Sequence, residues 1–121
     1  MARILIVEDN PANMKLAVFI LERNGHQAIQ AVDAETGLRA AREQKPDLIL
    51  MDVQLPGMDG LEATRILKAD AATRAIPVLA LTAMAMRGDE ERVRAAGCDG
   101  YVAKPIDYKT FLAQLQRVLP A

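Results

Sequence analysis

The sequence predicts an α/β fold: a doubly wound parallel sheet built from five (βα) units. Two observations carry that expectation. Three short runs are almost purely apolar, Ile4–Val7, Leu48–Met51 and Val78–Leu81, and uninterrupted apolar runs of this length suit strands covered on both faces. Between them lie stretches with helical spacing, bounded by capping residues. Buried strands alternating with helices imply right-handed βαβ crossovers.

The first strand, Ile4–Val7, is followed by Asn10-Pro11, an N-cap with proline at the first helical position. Leu16, Ile20 and neighbouring apolar residues then form the stripe of the first helix, which Asn24-Gly25 closes with a left-handed cap. Gln27–Ala31 alternates with polar residues, as an edge strand does. Asp33 caps the second helix, with Leu38 and Ala41 inward and Lys45-Pro46 as the stop. After the strand Leu48–Met51, Asp59 with Glu62 three residues on resembles a capping box and opens a third helix carrying Leu61, Ile66 and Leu67. The strand Val78–Leu81 precedes a fourth helix, running from near Met86 or Asp89 to Ala96 and closed by Gly97. A weaker strand, Tyr101–Ala103, leads to a fifth helix capped by Asp107, in which Phe111, Leu112, Leu115, Val118 and Leu119 recur at helical spacing. The commonest order for five such units is the flavodoxin-like 2-1-3-4-5.

Composition removes several functions. The 121 residues amount to one domain, at about 150 residues per domain. Fifteen Lys and Arg against sixteen Asp and Glu give a formal charge of −1, without the basic excess of a nucleic-acid binder. Two Phe, two Tyr and no Trp offer little surface for base stacking. A single Cys forms no internal disulfide, and no apolar run is long enough for a membrane span or a signal-peptide core. The expectation is a cytoplasmic, monomeric domain covering 1–121. Met1 close to the first strand and Pro120-Ala121 after the last helix read as a whole chain.

The polar residues at the strand ends point to chemistry. Glu8-Asp9 follows the first strand, Asp52 the third, Thr82 the fourth and Lys104-Pro105 the fifth. In parallel α/β sheets, ligands bind outside the carboxyl ends of the strands, at the point where strand order reverses. Glu8, Asp9 and Asp52 gathered there repel one another, and Lys104 offsets only part of that. A hard divalent cation is the natural complement: Mg²⁺ binds one or two carboxylates together with waters and phosphate oxygens. A carboxylate nucleophile beside such a cation, a hydroxyl and an ammonium form a phosphoryl-transfer constellation.

Four stretches together resemble the receiver domain of two-component response regulators: Ile4–Asn10, the segment 47–60 (DLILMDVQLPGMDG), Leu81-Thr82-Ala83 and Ala103-Lys104-Pro105. The likeness spans essentially the whole chain. The segment 83–106 is similar to the single-domain, cell-cycle receivers of the DivK-like group, and receivers attached to hybrid histidine kinases read similarly. The resemblance implies that Asp52 accepts a phosphoryl group from a histidine kinase or a histidine phosphotransfer protein. It further implies Mg²⁺, with Mn²⁺ as a substitute, bound by Asp9, by Glu8 directly or through water, by Asp52 and by the backbone carbonyl of Gln54. Thr82 and Lys104 would contact the phosphoryl oxygens, Lys104-Pro105 would be cis, and Thr82 and Tyr101 would form a switch. The output face toward a downstream protein would be the fourth helix, fifth strand and fifth helix. Many receivers carry two Asp after the first strand where this chain has Glu8-Asp9, which leaves the coordination open and the chemistry intact.

Each residue also has an ordinary reading. Asp52 alone is a loop or cap aspartate, Thr82 a β-former, Lys104 a surface lysine and Glu8 a surface glutamate; the constellation favours the site. Asp9 competes with Asn10 as helix cap. Tyr101 is in the ordinary case a half-buried tyrosine with its hydroxyl in water. Met84 and Met86 are core fillers or, less readily, an adaptable partner surface. Cys98 reads as packing, His26 as a surface turn residue, and Glu90 with Arg94 as a helix-surface pair.

Two enzyme or carrier classes compete. A haloacid-dehalogenase-like, Mg²⁺-dependent phosphatase also forms an aspartyl phosphate, but wants a D-x-D motif after the first strand, whereas Asp52-Val53-Gln54 follows the third. A flavodoxin-like electron carrier wants a Ser/Thr-rich phosphate loop where Glu8-Asp9-Asn10-Pro11 stands. The expectation is therefore a phosphoacceptor that acts by binding partners and catalyses only its own phosphorylation and dephosphorylation.

Overall fold

The apolar runs are strands. In the computed structural model, which describes residues 2–83 and 87–119, β1 (Arg3–Val7), β2 (Gln27–Ala31), β3 (Leu48–Asp52), β4 (Val78–Thr82) and β5 (Gly100–Ala103) form one parallel sheet in the order β2-β1-β3-β4-β5. Every residue of β3 and β4 is buried, whereas β2, at the edge, is exposed or half-exposed at every residue but Ala31. Five helices connect or follow the strands: α1 (Pro11–Arg23), α2 (Ala34–Gln44), α3 (Gly60–Ala69), α4 (Arg87–Ala95) and α5 (Tyr108–Val118).

The pleat sends alternate side chains of each strand to opposite faces. Ile4, Ile6, Leu48, Leu50, Leu79 and Leu81 pack against α1 and α5, with Phe111 and Leu115 at the centre. Leu5, Val7, Ile49, Met51, Val78 and Ala80 pack against α2, α3 and α4. Two cores on one sheet explain why the central strands carry no polar alternation.

The caps fall where the side chains predict them. Asn10, Asp33, Asp59 and Asp107 each accept first-turn backbone N–H groups of the helix that follows. Gly25 closes α1 with φ +81°, a left-handed conformation that favours a residue without Cβ. One expectation fails. Leu16 is 39% exposed, and the buried stripe of α1 is Met14, Ala17, Ile20 and Leu21. At about 100° per residue, Leu16 stands about 200° from Met14, on the far side of the helix. The expected start of the fourth helix at Met86, and the alternative readings of Met84 and Met86, lie outside the described residues. Among the described residues, no helix is long and apolar enough to cross a membrane.

Candidate functional site

The strand order reverses between β1 and β3, because β1 leads outward to β2 and α2 then crosses back to β3. The crevice at such a switch point lies at the carboxyl ends of the strands. Glu8 and Asp52 occupy it. The ladder continues one residue beyond the strands: Glu8 N–H donates to Ala31 O (3.0 Å), Val53 N–H to Leu81 O (3.0 Å) and Lys104 N–H to Thr82 O (2.8 Å). These bonds extend the β1–β2, β3–β4 and β4–β5 pairings to the carboxyl edge of the sheet. Glu8, Asp52 and Thr82 are buried, while Asp9 is exposed.

Asp52 is fixed from two sides. Its Oδ1 accepts the Gln54 N–H at 3.0 Å and lies 3.0 Å from the Lys104 ammonium. Beneath it, Gly60 N–H donates to Val53 O at 3.0 Å, and a Cβ on Gly60 would overlap the Asp52 carbonyl oxygen. Only glycine lets the first turn of α3 sit this close. Sequence reading placed Gly60 within the 47–60 segment but gave it no role, since a helix-opening glycine carries no signal of what it approaches.

Glu8 is held as tightly. Its Oε1 receives the Asn10 N–H (3.2 Å), the Asn13 side-chain amide (3.3 Å) and the Lys104 ammonium (3.4 Å). Its Oε2 lies 3.2 Å from Lys104 Nζ, yet accepts no hydrogen bond among the described residues. Lys104 thus stands between both buried carboxylates. The Lys104–Pro105 peptide bond is cis.

Burial pushes the Asp52 carboxyl above the usual aspartate range; the Lys104 hydrogen bond opposes this, and neighbouring Glu8 adds to it. For Lys104, burial alone would lower the pKa, but the Asp52 and Glu8 carboxylates overcome it and hold the ammonium above its ordinary value. The lysine is a permanent cation here.

A carboxylate oxygen from each of Glu8, Asp9 and Asp52 lies within 4.8 Å of the others. Asn10 caps α1, with its Oδ1 accepting from Ala12 N–H at 2.9 Å and Asn13 N–H at 3.1 Å. The donor set is all oxygen, Lys104 pairs with two of the three carboxylates, and the buried Glu8 Oε2 accepts no hydrogen bond among the described residues. That chemistry fits a hard divalent ion.

Tyr101 is half-buried against the α2–α3–α4 core. Cys98 is buried, its sulfur 3.8 Å from Thr64 Oγ1, and burial raises its thiol pKa, as a packing residue requires. Glu90 and Arg94 pair at 3.0 Å on the surface. His26 departs from its reading as a surface residue: it is half-buried and its Nδ1 accepts the Ala2 N–H at 3.1 Å.

A doubly wound α/β domain with an acid cluster and a lysine across its switch point defines a class of phosphoacceptor modules. The chain belongs to the response regulator receiver domain family of two-component signal transduction, whose pattern matches residues 4–116. It is 48% identical over 116 residues to the polar-differentiation response regulator DivK of Brucella anthropi, covering 96% of this chain and 94% of that one. The chemotaxis protein CheY4 of Vibrio cholerae superposes with a TM-score of 0.92 at 29% identity, over 98% of this chain and 99% of that one. The receiver domain of the sensor histidine kinase PA1611 from Pseudomonas aeruginosa, solved with a magnesium ion coordinated in its active-site cleft, has a TM-score of 0.89 at 39% identity, over 97% and 96% of the two chains.

Proposed function

We propose that this chain is a single-domain response regulator, one receiver domain over 1–121, in which Asp52 accepts a phosphoryl group from a histidine kinase or histidine phosphotransfer protein. The observation that carries the reading is the buried Asp52 carboxylate at the end of β3, with the Lys104 ammonium at 3.0 Å and two further carboxylates beside it. In the transfer, an Asp52 carboxylate oxygen forms a bond to phosphorus as the phosphorus–nitrogen bond of the donor breaks, and the electron pair remains on the imidazole. Lys104 keeps Asp52 ionised for attack and offsets charge on the phosphoryl oxygens. Thr82, at the end of β4, offers its hydroxyl to the same group. Glu8, Asp9, Asp52 and the Gln54 carbonyl would hold Mg²⁺, which when bound supplies charge neutralisation for carboxylates and phosphoryl oxygens.

The signal would pass from Thr82 to Tyr101, which sits one strand away in register with Ala80 on β4. A phosphoryl group brings close to two negative charges and strong acceptors, enough to bias such a pair between two arrangements. The face of α4, β5 and α5 would then change its affinity for a downstream protein. A cytoplasmic monomer is consistent with this role. The likeness to a sensor-kinase receiver favours, as the second reading, a receiver that serves a larger hybrid kinase.

Intact mass after incubation with a small acyl-phosphate donor and Mg²⁺ tests the acceptor. One added phosphoryl group, lost in Asp52→Asn and absent with chelator, is the expected result. Phosphorylation persisting in Asp52→Asn would overturn it, and turnover of phosphate esters would favour a phosphatase.

A further inference from the structure

The two oxygens of the Glu8 carboxylate are treated differently. Oε1 accepts from three donors, two of them from the start of α1; Oε2 has the Lys104 ammonium 3.2 Å away as an ion pair but accepts no hydrogen bond among the described residues. We propose that Asn13 is a positioning residue for the divalent cation: its side-chain amide and the Asn10 N–H pin Oε1, so that Oε2 is the oxygen turned to the cation or its water shell. The inference rests on the metal reading given above and assigns a residue which that reading does not use.

Local geometry explains why position 13 can do this. Cα–Cβ bonds in an α-helix tilt toward its N-terminus, so a side chain in the first turn reaches back over the preceding loop. Asn13 is the third helical residue after the Asn10 cap. In a capping box the residue there returns to the cap itself. Here the Asn10 N–H that such a side chain would accept is already donated to Glu8 Oε1. Asn13 passes it and reaches Glu8 Oε1 at 3.3 Å. An ionised carboxylate only accepts, so the group facing Oε1 must be the NH₂ of the amide.

Outer partners of this kind fix the orientation of a ligating carboxylate, and losing one typically weakens metal affinity by about 10–100-fold. Asn10 N–H and Lys104 still hold Oε1 when Asn13 is absent. The expected loss is therefore at the lower end, about tenfold.

The test is the Mg²⁺ dissociation constant, from amide NMR titration of the unphosphorylated protein, for wild type, Asn13→Ala and Asn13→His. Alanine removes the donor while favouring helix, so weaker binding cannot come from a weaker α1. Histidine restores a donor, because its Nδ1 stands where the asparagine Nδ2 stood. The expected pattern is about tenfold weaker binding for Asn13→Ala, recovery to within about threefold for Asn13→His above pH 7, and thermal midpoints without metal close to wild type. Should Asn13→Ala bind Mg²⁺ like wild type, or Asn13→His bind as weakly as alanine, the positioning role fails while the metal site stands. A wild-type protein that does not bind Mg²⁺ overturns both. If the alanine variant does not fold, Asn13→Ser, too short to reach Oε1, takes its place with the same expected loss.

Discussion

Replacing Lys104 by methionine removes one charge from between two buried carboxylates and keeps the length of the side chain. The Nζ lies 3.0 Å from Asp52 Oδ1 and 3.2 Å from Glu8 Oε2. At an effective dielectric of about 20, each contact is worth about 5 kcal/mol of gross attraction. Several kcal/mol of ammonium desolvation offset this, and breaking a buried pair by removing one partner costs about 3–5 kcal/mol net. A second route sets a ceiling. The variant escapes by protonating Asp52, whose carboxyl burial already raises, and protonating an ordinary aspartate at pH 7 costs about 4 kcal/mol. The two estimates meet at a loss of about 3–4 kcal/mol at pH 7. A carboxyl whose folded pKa lies above its unfolded value contributes stability below the unfolded pKa, and that contribution is lost as pH rises through the folded pKa. The penalty in Lys104→Met should thus shrink by about 1.4 kcal/mol for each unit of acidification, to near 1 kcal/mol at pH 5. Urea denaturation followed by far-UV circular dichroism, in chelator at both pH values, measures it. A loss below about 1 kcal/mol at pH 7, or equal losses at the two pH values, would refute the buried-charge account.

Three further outcomes are expected. Gly60→Ala must push α3 away from the Asp52 carbonyl; it should cost about 1–3 kcal/mol and slow phosphorylation by a small acyl-phosphate donor more than it weakens Mg²⁺ binding, as stopped-time mass spectrometry would reveal. Mg²⁺ at about 100 times its dissociation constant should stabilise the wild type by about 2.7 kcal/mol, and Asp52→Asn should abolish most of that gain in a thermal melt. Burial holds the His26 imidazole below its ordinary pKa, so the folded state binds its proton less readily than the unfolded chain. Its contribution is fully present above the unfolded value of about 6.5 and is lost below it, as pH falls through the lower folded pKa; His26→Asn, whose Oδ1 can accept the Ala2 N–H at any pH, should flatten the stability profile on the acid side of about pH 6.5.

The fold was legible because its signals are local. An apolar run of four residues, an Asn-Pro cap and a Gly after a helix each restrict their own segment, and five such units leave few topologies. Leu16 shows where a local signal is too coarse: apolar residues at 14, 16, 17, 18, 19, 20 and 21 leave the phase of α1 undetermined, and only packing on β1 and β2 selects Met14, Ala17, Ile20 and Leu21. The site's residue types were legible too, since charged groups at strand ends are rare enough to notice. Their division of labour was not. Glu8 and Asp9 are adjacent in the chain, yet one is buried and the other exposed: Glu8 is still tied to the sheet through its N–H to Ala31 O, whereas Asp9 lies in the bend that leaves it for α1. Asn13 and Gly60 escaped for a different reason: a surface-type asparagine in a helix and a glycine at a helix start are common, and their meaning lies wholly in what they touch.

A whole-chain charge of −1 conceals the feature on which the proposed function rests. At the switch point, three carboxylates meet one ammonium, and two of the carboxylates are buried. Folding alone would not select this arrangement, since apolar side chains of similar volume are often as stable as buried ions or more so. The excess negative charge within the cluster favours whatever cation enters it. It also repels an incoming phosphoryl group, so the acceptor should remain inactive until a cation is bound. In this arrangement Lys104 sets the threshold: it stabilises the acid pair enough for the domain to fold without metal, while a single ammonium cannot neutralise three carboxylates. Mg²⁺ dependence of phosphorylation then follows from the charge count of the cluster, and Asp9→Asn, which lowers that count while leaving the buried pair in place, should reduce Mg²⁺ affinity more than it reduces stability.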